Sequence, residues 1–176
     1  MTEGVVRPLA AIAWAITLLL LSGGVASAAT RVFTDPNDSH TIDIRKAHVT
    51  LGRSLGVAVE HGGRVRSGQR YVFWIDTRRR NPGPEYYAAA RPNGAVPTLA
   101  RVAGFGDRTK TPKSCRLIGG GANPDAPRAV VTFEAAGRCV GDPKRVRIAI
   151  HFLNADGSSA DWAPAARRFY PRVHRS

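Results

Sequence analysis

Apolar and polar residues alternate with a period of two over most of the chain beyond residue 40, the spacing of strands with one buried face. Ile42 to Leu51 follows this alternation with one slip at Arg45 and Lys46, which predicts a β-bulge. Residues 71–77, YVFWIDT, carry β-branched and aromatic side chains on both faces and are the strongest predicted strand. Residues 145–153, RVRIAIHFL, predict another strand, with its valine, isoleucines and phenylalanine on the buried face.

Clusters of Gly, Pro, Asn and Asp separate the predicted strands at intervals of about 10–16 residues. Helical spacing of apolar residues occurs only as a short run at 160–167. Repeated short strands with a turn signal between them are typical of a sandwich or barrel. We therefore predict an all-β fold, a single antiparallel β-sandwich with a jelly-roll-like arrangement. The remaining predicted strands lie at 55–59, 85–90, 98–103, 114–118, 129–134 and 168–173.

The N-terminal residues have a composition of their own. Arg7 precedes an apolar run from Leu9 to Leu21, and Ala26-Ser27-Ala28 fits the A-x-A cleavage pattern of a secretory signal peptide. The apolar run is shorter than the roughly 20 residues that a membrane-spanning helix needs. We therefore predict a cleaved signal at 1–28 and a secreted or envelope-associated domain at 29–176 without a transmembrane anchor. An uncleaved N-terminal anchor is the alternative.

The predicted domain is strongly basic. The chain holds 26 Lys+Arg against 13 Asp+Glu, a formal net charge of +13, and Glu3 and Arg7 of the signal cancel. The positive charge is spread along the domain instead of lying in one block. Such a surface attracts anionic polymers. Outside a cell these are wall polymers and acidic polysaccharides, so no nucleic acid partner is expected.

Two cysteines, Cys115 and Cys139, both lie in the predicted domain. In an exported chain an even cysteine count is typical of disulfide bonding. A catalytic or metal-binding thiol would need a C-x-x-C pair or a suitably spaced His, and the sequence has neither. We predict a Cys115–Cys139 disulfide, which would stabilise the fold by roughly 3.5 kcal/mol on the chain-entropy estimate.

An acidic segment, DPNDSHTIDI, begins at residue 35 and brings Asp35, Asp38 and Asp43 close together in sequence. Carboxylate oxygens are the ligands that Ca²⁺ prefers. Asp-Pro-Asn-Asp is also ordinary turn chemistry, in which short carboxylates accept backbone N–H bonds. The sequence thus offers either a calcium site or turn-forming carboxylates, and the turn is the favoured interpretation. It predicts no other cofactor.

Candidate ligand contacts come from aromatic and basic side chains. The dense basic run Arg78, Arg79 and Arg80 follows the 71–77 strand, and it is either a solvated hairpin tip or an anion-binding point. The sequence leaves open which face of the sheet the aromatic residues occupy. Four aromatic residues are candidates for stacking on a sugar ring: Tyr71, Trp74, Tyr86 and Trp162.

Motifs of known enzyme classes are weak in this chain. Residues 52–56 match the G-x-S-x-G pattern of α/β-hydrolases, but strand-like alternation follows where that motif requires a helix. The five histidines lack the spacings of zinc sites. Asp76 and Glu85 form a carboxylate pair of the kind that could flank a glycosidic bond, although thirteen acids always supply some such pair. We predict no catalytic residue and no firm metal site.

Several short motifs resemble those of small exported actinobacterial proteins, mostly uncharacterised, whose sandwich is similar to carbohydrate-binding-module-9/DOMON-like domains. The resemblance implies a disulfide-bonded β-sandwich that binds sugar or envelope polymer, and it carries over no catalytic residue. The motifs are D-P-x-D-x-x-x-x-D-I (Asp35 to Ile44), I-D-T (Ile75 to Thr77), P-x-x-Y (Pro84 to Tyr87), C-V-G-D-P-K-R-V-R-I (Cys139 to Ile148) and D-W-A-P (Asp161 to Pro164).

Export, all-β patterning and positive charge together favour a non-catalytic binding module for polysaccharide or anionic wall polymer. The alternative is a structural or protein-interaction module of the envelope, in which the charge is only a surface property. A hydrolase is the least favoured hypothesis, because it would require a nucleophile and a base to meet in one pocket.

Overall fold

The computed structural model describes residues 28–36, 38, 42–78, 80, 83–91, 96–121 and 128–176. The predicted signal peptide, except for its last residue, lies outside the described residues. Within the described ranges, no helix is long and apolar enough to cross a membrane.

The described chain forms two antiparallel sheets, which confirms the predicted β-sandwich. Its strands are β1 (Ala29–Thr34), β2 (Asp43–Leu51), β3 (Ser54–Gly62), β4 (Arg70–Asp76), β5 (Tyr86–Ala90), β6 (Thr98–Arg101), β7 (Thr111–Pro112), β8 (Leu117–Gly121), β9 (Arg128–Ala136), β10 (Arg145–Leu153), β11 (Ser159–Ala163) and β12 (Val173–His174).

The smaller sheet has the strand order β1-β2-β3-β9-β8. β2 and β3 form a tight hairpin in which Leu51 pairs with Leu55. The register of this pair shifts between Ile44 and Lys46, which confirms the predicted bulge. The G-x-S-x-G match therefore lies in a hairpin between two strands, with Ser54 as the first residue of β3.

The larger sheet has the order β11-β10-β4-β5-β6-β7, with β12 beside β10. Consecutive hairpin strands stay in one sheet, and the chain crosses to the other sheet after β3, β7 and β9. These two strand orders specify the connections of the predicted jelly-roll-like sandwich. β11 and β12 follow the same edge of β10, since Asp161 pairs with Phe152 and Val173 pairs with Val146. The two-residue strand β7 ends the sheet on the far side.

The main core lies between the sheets. Each fully buried Ile, Leu or Phe side chain contributes roughly 1.5–3 kcal/mol, and the rings of Phe73 and Phe133 stack across the sheets with centroids 5.6 Å apart. The predicted buried face of residues 145–153 is confirmed. Its members Val146, Ile148, Ile150 and Phe152 are each at most 1% exposed.

Cys115 and Cys139 form the predicted disulfide, with Cα atoms 6.1 Å apart. Cys139 lies in a short 3₁₀ helix, Gly137–Val140, that follows β9. Cys115 precedes β8, the strand that pairs with β9. The bond therefore ties the two ends of the β8–β9 unit together.

Several elements differ from the sequence-based predictions, among them the two-residue strand β7, which was not predicted. β1 was not predicted, because its side chains are mostly exposed and leave no apolar alternation. The helical run at 160–167 is wrong, since Ser159–Ala163 forms strand β11 on the edge of β10. The predicted closing strand at 168–173 is shorter and later, and only Val173–His174 pairs with β10.

Candidate functional site

The outer face of the larger sheet, which points away from the main core, carries a second apolar cluster that includes Val72, Trp74 and Tyr87. Two side chains from loops cover part of it. The Phe105 ring lies 5.4 Å from Trp74 and 5.0 Å from Phe169, measured between centroids. The covered part is therefore an apolar layer, and the uncovered part is open to a ligand.

An open groove lies on the uncovered part of this face. It has a volume of about 450 Å³. Lys110 Nζ lies 3.9 Å above the centroid of the Tyr87 ring and adds a positive charge beside the groove. No carboxylate is among the described residues that line it. We call it the outer groove, and it is lined by Arg70, Tyr87, Ala89, Arg91, Val96 and Thr98.

A stacked pair of rings, His151 on β10 and Trp162 on β11, lies on the same outer face. Their centroids are 3.8 Å apart and their planes 13° from parallel. Burial, and after it the positive charge of Arg70, lowers the pKa of His151 to about 4. The imidazole is therefore neutral near pH 7, and Trp162 is half-buried with a neutral ring against it.

The four aromatic residues proposed for stacking separate in the structure. Tyr71 points into the main core and is 0% exposed, and Trp74 lies buried beneath Phe105. Tyr86 is half-buried and packs against the main core. Trp162 alone among these four is partly exposed on the outer face. Strand register turns Tyr71 and Tyr86 toward the main core, whereas Trp74 faces outward but is covered by Phe105, so none of the three presents an open ring face for stacking.

The structure places Tyr87, which sequence reasoning missed, in the groove. It is the cross-strand partner of Trp74 and therefore shares the outer face with it. The adjacent pair Tyr86-Tyr87 carries no signal of which tyrosine faces outward, since that depends on the register with β4. A register prediction would have been needed to choose between them.

The basic run at 78–80 is described only in part. Arg78 and Arg80 are exposed, and Arg79 lies outside the described residues. Arg78 lines a cavity of about 340 Å³ that also contains Glu85 and Asp107. Because carboxylates share this second cavity, it is less suited to an anion than the outer groove.

A cluster of carboxylates occupies the edge of the sandwich where β11 meets the connection between β1 and β2. Oxygens of Asp35, Asp38 and Asp161 all lie within 4.8 Å of one another. Asp161 faces inward on β11, and its Oδ2 accepts a 2.7 Å hydrogen bond from the Ile44 N–H of the opposite sheet. Asp43, at the start of β2, is buried nearby and its Oδ2 pairs with Arg45 at 3.2 Å. We call Asp35, Asp38, Asp43 and Asp161 the carboxylate cluster.

Burial and the crowding of like charges raise pKa values in the carboxylate cluster. Burial, and after it the charges of Asp161, Asp38 and Asp43, raises the pKa of Asp35 to about 7. The Tyr170 hydroxyl lies close enough to moderate this rise, although the two groups do not reach hydrogen-bond geometry. Burial also raises the pKa of Asp161, against two backbone hydrogen bonds that lower it.

The sequence-based calcium candidates are therefore placed only in part as expected. Asp35 and Asp38 do converge, but the third oxygen close to both comes from Asp161, more than a hundred residues later. Asp43 is near enough to act through its charge. The turn interpretation accounts poorly for Asp35, because neither of its oxygens has a hydrogen-bond partner among the described residues.

The residues considered for hydrolysis are engaged elsewhere. Arg147 Nε donates to Asp76 Oδ2 at 2.6 Å, and Thr77 N donates to Glu85 Oε2 at 2.8 Å. Each carboxylate thus has a structural partner. Within the described part of the chain, the carboxylate cluster holds the one group of three metal-ligating side chains.

Comparison with known proteins adds no relative. No protein-family model matches this chain, and neither a curated protein nor a solved structure does. The likeness to carbohydrate-binding-module-9/DOMON-like domains therefore stays a prediction.

Proposed function

We propose that this protein is a non-catalytic, secreted or envelope-associated module that binds an anionic polymer, either a wall polymer or an acidic polysaccharide, in the outer groove. The observation that carries the proposal is the lining of that groove, with two arginines, a tyrosine ring and no carboxylate among the described residues. The predicted export signal supports a site of action outside the cell.

The arginines suit an anionic ligand. Arg70 begins β4 and Arg91 directly follows β5, and their neighbours Tyr71 and Ala90 are cross-strand partners. The two guanidinium groups therefore stand at the same end of adjacent strands. A guanidinium binds phosphate or carboxylate through two parallel hydrogen bonds, which gives orientation as well as attraction.

A polymer has room to extend beyond the groove. A cross-strand row runs from Ala89 through Val72 and His151 to Trp162, because each residue pairs with the next. Four neighbouring strands span about 15 Å at 4.7–4.9 Å each. An extended chain held by Arg70 and Arg91 would thus reach the half-buried Trp162 ring, which offers an aromatic surface at the far end.

Retention of the purified protein on insoluble wall material tests the proposal. Retention is expected at low salt and should fall as salt rises, because phosphate or carboxylate charges supply the attraction. Poly(glycerol phosphate) and polygalacturonate identify which anion is preferred, and a neutral glucan serves as the uncharged probe. Absence of retention at low salt would overturn polymer binding.

A matched pair of variants separates the groove from general charge. Arg70→Gln with Arg91→Gln should weaken polymer binding about tenfold. Arg31→Gln with Arg108→Gln removes the same charge from exposed positions outside the groove and should weaken it far less. Equal losses in the two double variants would show that net charge, not the groove, holds the polymer.

A protein-interaction module is the second candidate, and an edge strand favours it. β8 is the outermost strand of the smaller sheet, and its Ile118 is 60% exposed. Exposed edges offer backbone groups to an added strand. This function predicts a defined protein partner that Ile118→Lys releases, without retention on wall material.

A further inference from the structure

The carboxylate cluster lies on a different part of the molecule from the outer groove and joins the two sheets. Asp35 follows β1, and its N–H extends the sheet by donating to Arg45 O at 2.9 Å. Asp161 belongs to β11 of the larger sheet but bonds to Ile44 of the smaller one. The side chains that converge here therefore come from both layers of the sandwich.

Buried polar atoms without partners surround the same place. Both oxygens of Asp35 and Oδ1 of Asp43 have no hydrogen-bond partner among the described residues, although Asp43 is only 4% exposed. A buried polar group left unpaired costs about 1–3 kcal/mol, and more if it is charged. Several such groups at one point indicate that a ligand completes them.

Tyrosine hydroxyls add a second, independent observation. Tyr71 is 0% exposed, its hydroxyl is unpartnered, and the Asp161 charge acts on it. It stands in the same inner row as Asp161, since both pair with Phe152. Tyr170, 3% exposed, holds its hydroxyl beside Asp35. Phenol oxygens aimed at a group of carboxylates provide further hydrogen-bonding capacity around a hydrated cation.

We propose that Asp35, Asp38 and Asp161 bind a calcium ion, with Asp43 as a neighbouring charge, and that the ion fastens the β1–β2 connection to β11. Ca²⁺ takes six to eight oxygens at about 2.3–2.6 Å, so two of its ligands lie up to about 5 Å apart. The spread of 4.8 Å among the three carboxylates falls within that limit. Because Asp38 is exposed, water can reach the ion and complete its coordination.

The chemistry favours calcium over other cations. All the candidate ligands are oxygens, whereas zinc sites are built mainly from sulfur and nitrogen. Mg²⁺ needs a near-ideal octahedron at 2.0–2.1 Å and dehydrates reluctantly. A site assembled from two sheets and a connection is better matched to the irregular coordination of Ca²⁺.

Calcium titration of the purified, chelator-treated protein tests this inference. Calorimetry is expected to show one Ca²⁺ per chain, and Ca²⁺ at a hundred times Kd should raise Tm by about 5–10 °C. Mg²⁺ at equal ionic strength should raise it much less. The absence of one-to-one binding up to 10 mM Ca²⁺, or an equal effect of Mg²⁺, would overturn the calcium site.

Variants locate the ion without relying on a residue that the fold needs. Asp38→Asn alters an exposed side chain and should weaken Ca²⁺ binding at least tenfold. Glu134→Gln, which removes an exposed carboxylate from β9, is the matched control and should bind as the parent protein does. Asp161→Asn should also lose binding, and circular dichroism reports whether it still folds. Unchanged binding in Asp38→Asn would place the ion elsewhere and overturn the assignment.

Discussion

The outer groove and the carboxylate cluster place charge on one β-sandwich in opposite ways. Arg70 and Arg91 stand at the surface of the larger sheet, where water screens them and a ligand can reach them. Asp43 and Asp161 are buried, and like charges repel more strongly where little water screens them. The net charge of +13 therefore agrees with the basic outer groove, but it gives no indication of the acidic carboxylate cluster.

Asp161→Ala is expected to have the largest effect on stability. The substitution leaves the buried Ile44 N–H and the Trp162 N–H without their 2.7 Å acceptors. The free energy of unfolding in chelator should fall by about 2–3 kcal/mol, against less than 0.5 kcal/mol for Arg70→Ala. Urea denaturation measures both. Similar losses of unfolding free energy in the two variants would show that the buried Asp161 is no more important to the fold than the surface residue Arg70.

His151 is expected to give the larger sheet an acid-sensitive stability. Its folded pKa of about 4 lies below the value of about 6.5 in the unfolded chain, so the unfolded state binds more protons between these values. Its contribution is thus complete above pH 6.5 and is lost as pH falls toward 4. We expect the parent protein to lose about 1–2 kcal/mol more than His151→Gln between pH 7 and pH 4.5.

Urea denaturation at a series of pH values in chelator measures this effect. Chelator keeps the carboxylate cluster free of metal, and because its carboxylates titrate in both proteins, their contribution cancels in the comparison. An identical pH dependence in the parent protein and His151→Gln would show that the stacked ring is solvated, and that the outer face is less enclosed there than its contact with Trp162 indicates.

Lys110→Gln should have the smallest effect. The ammonium group over Tyr87 is worth about 0.5–1 kcal/mol at an exposed site. Binding of poly(glycerol phosphate) should weaken two- to threefold, and the free energy of unfolding should fall by no more than about 1 kcal/mol. Lys113→Gln, which removes an exposed charge outside the groove, is the control. A tenfold loss in Lys110→Gln would make the lysine a principal contact equal to the arginines.

Much of the fold could be predicted from local pattern. The bounds of β10 match the predicted strand at 145–153, and the bulge beside Ile44 follows from a single slip in alternation. β1 could not be predicted, since an edge strand with mostly exposed side chains has no buried face to impose a pattern. Ser159–Ala163 was misjudged because pairing with the free edge of β10 outweighs a short helical spacing.

The sites were less predictable because they depend on contacts distant in sequence. Asp35 and Asp38 were recognisable as neighbouring carboxylates, but Asp161 joins them only through the packing of β11 against β2. Tyr87 instead of Tyr86 faces the groove because of the register between β4 and β5. Composition predicted the kind of ligand that a basic surface attracts, whereas sheet register decided which side chains line the groove.

The short strand β7 has a consequence for contacts between copies of the chain at high concentration. It ends the larger sheet with two residues, and the second, Pro112, has no backbone N–H to offer a neighbouring molecule. Short edges and prolines hinder the strand-to-strand joining that begins aggregation. At the opposite edge, β11 and β12 divide the side of β10 into two brief pairings, so neither end of this sheet offers a long template for polymerisation.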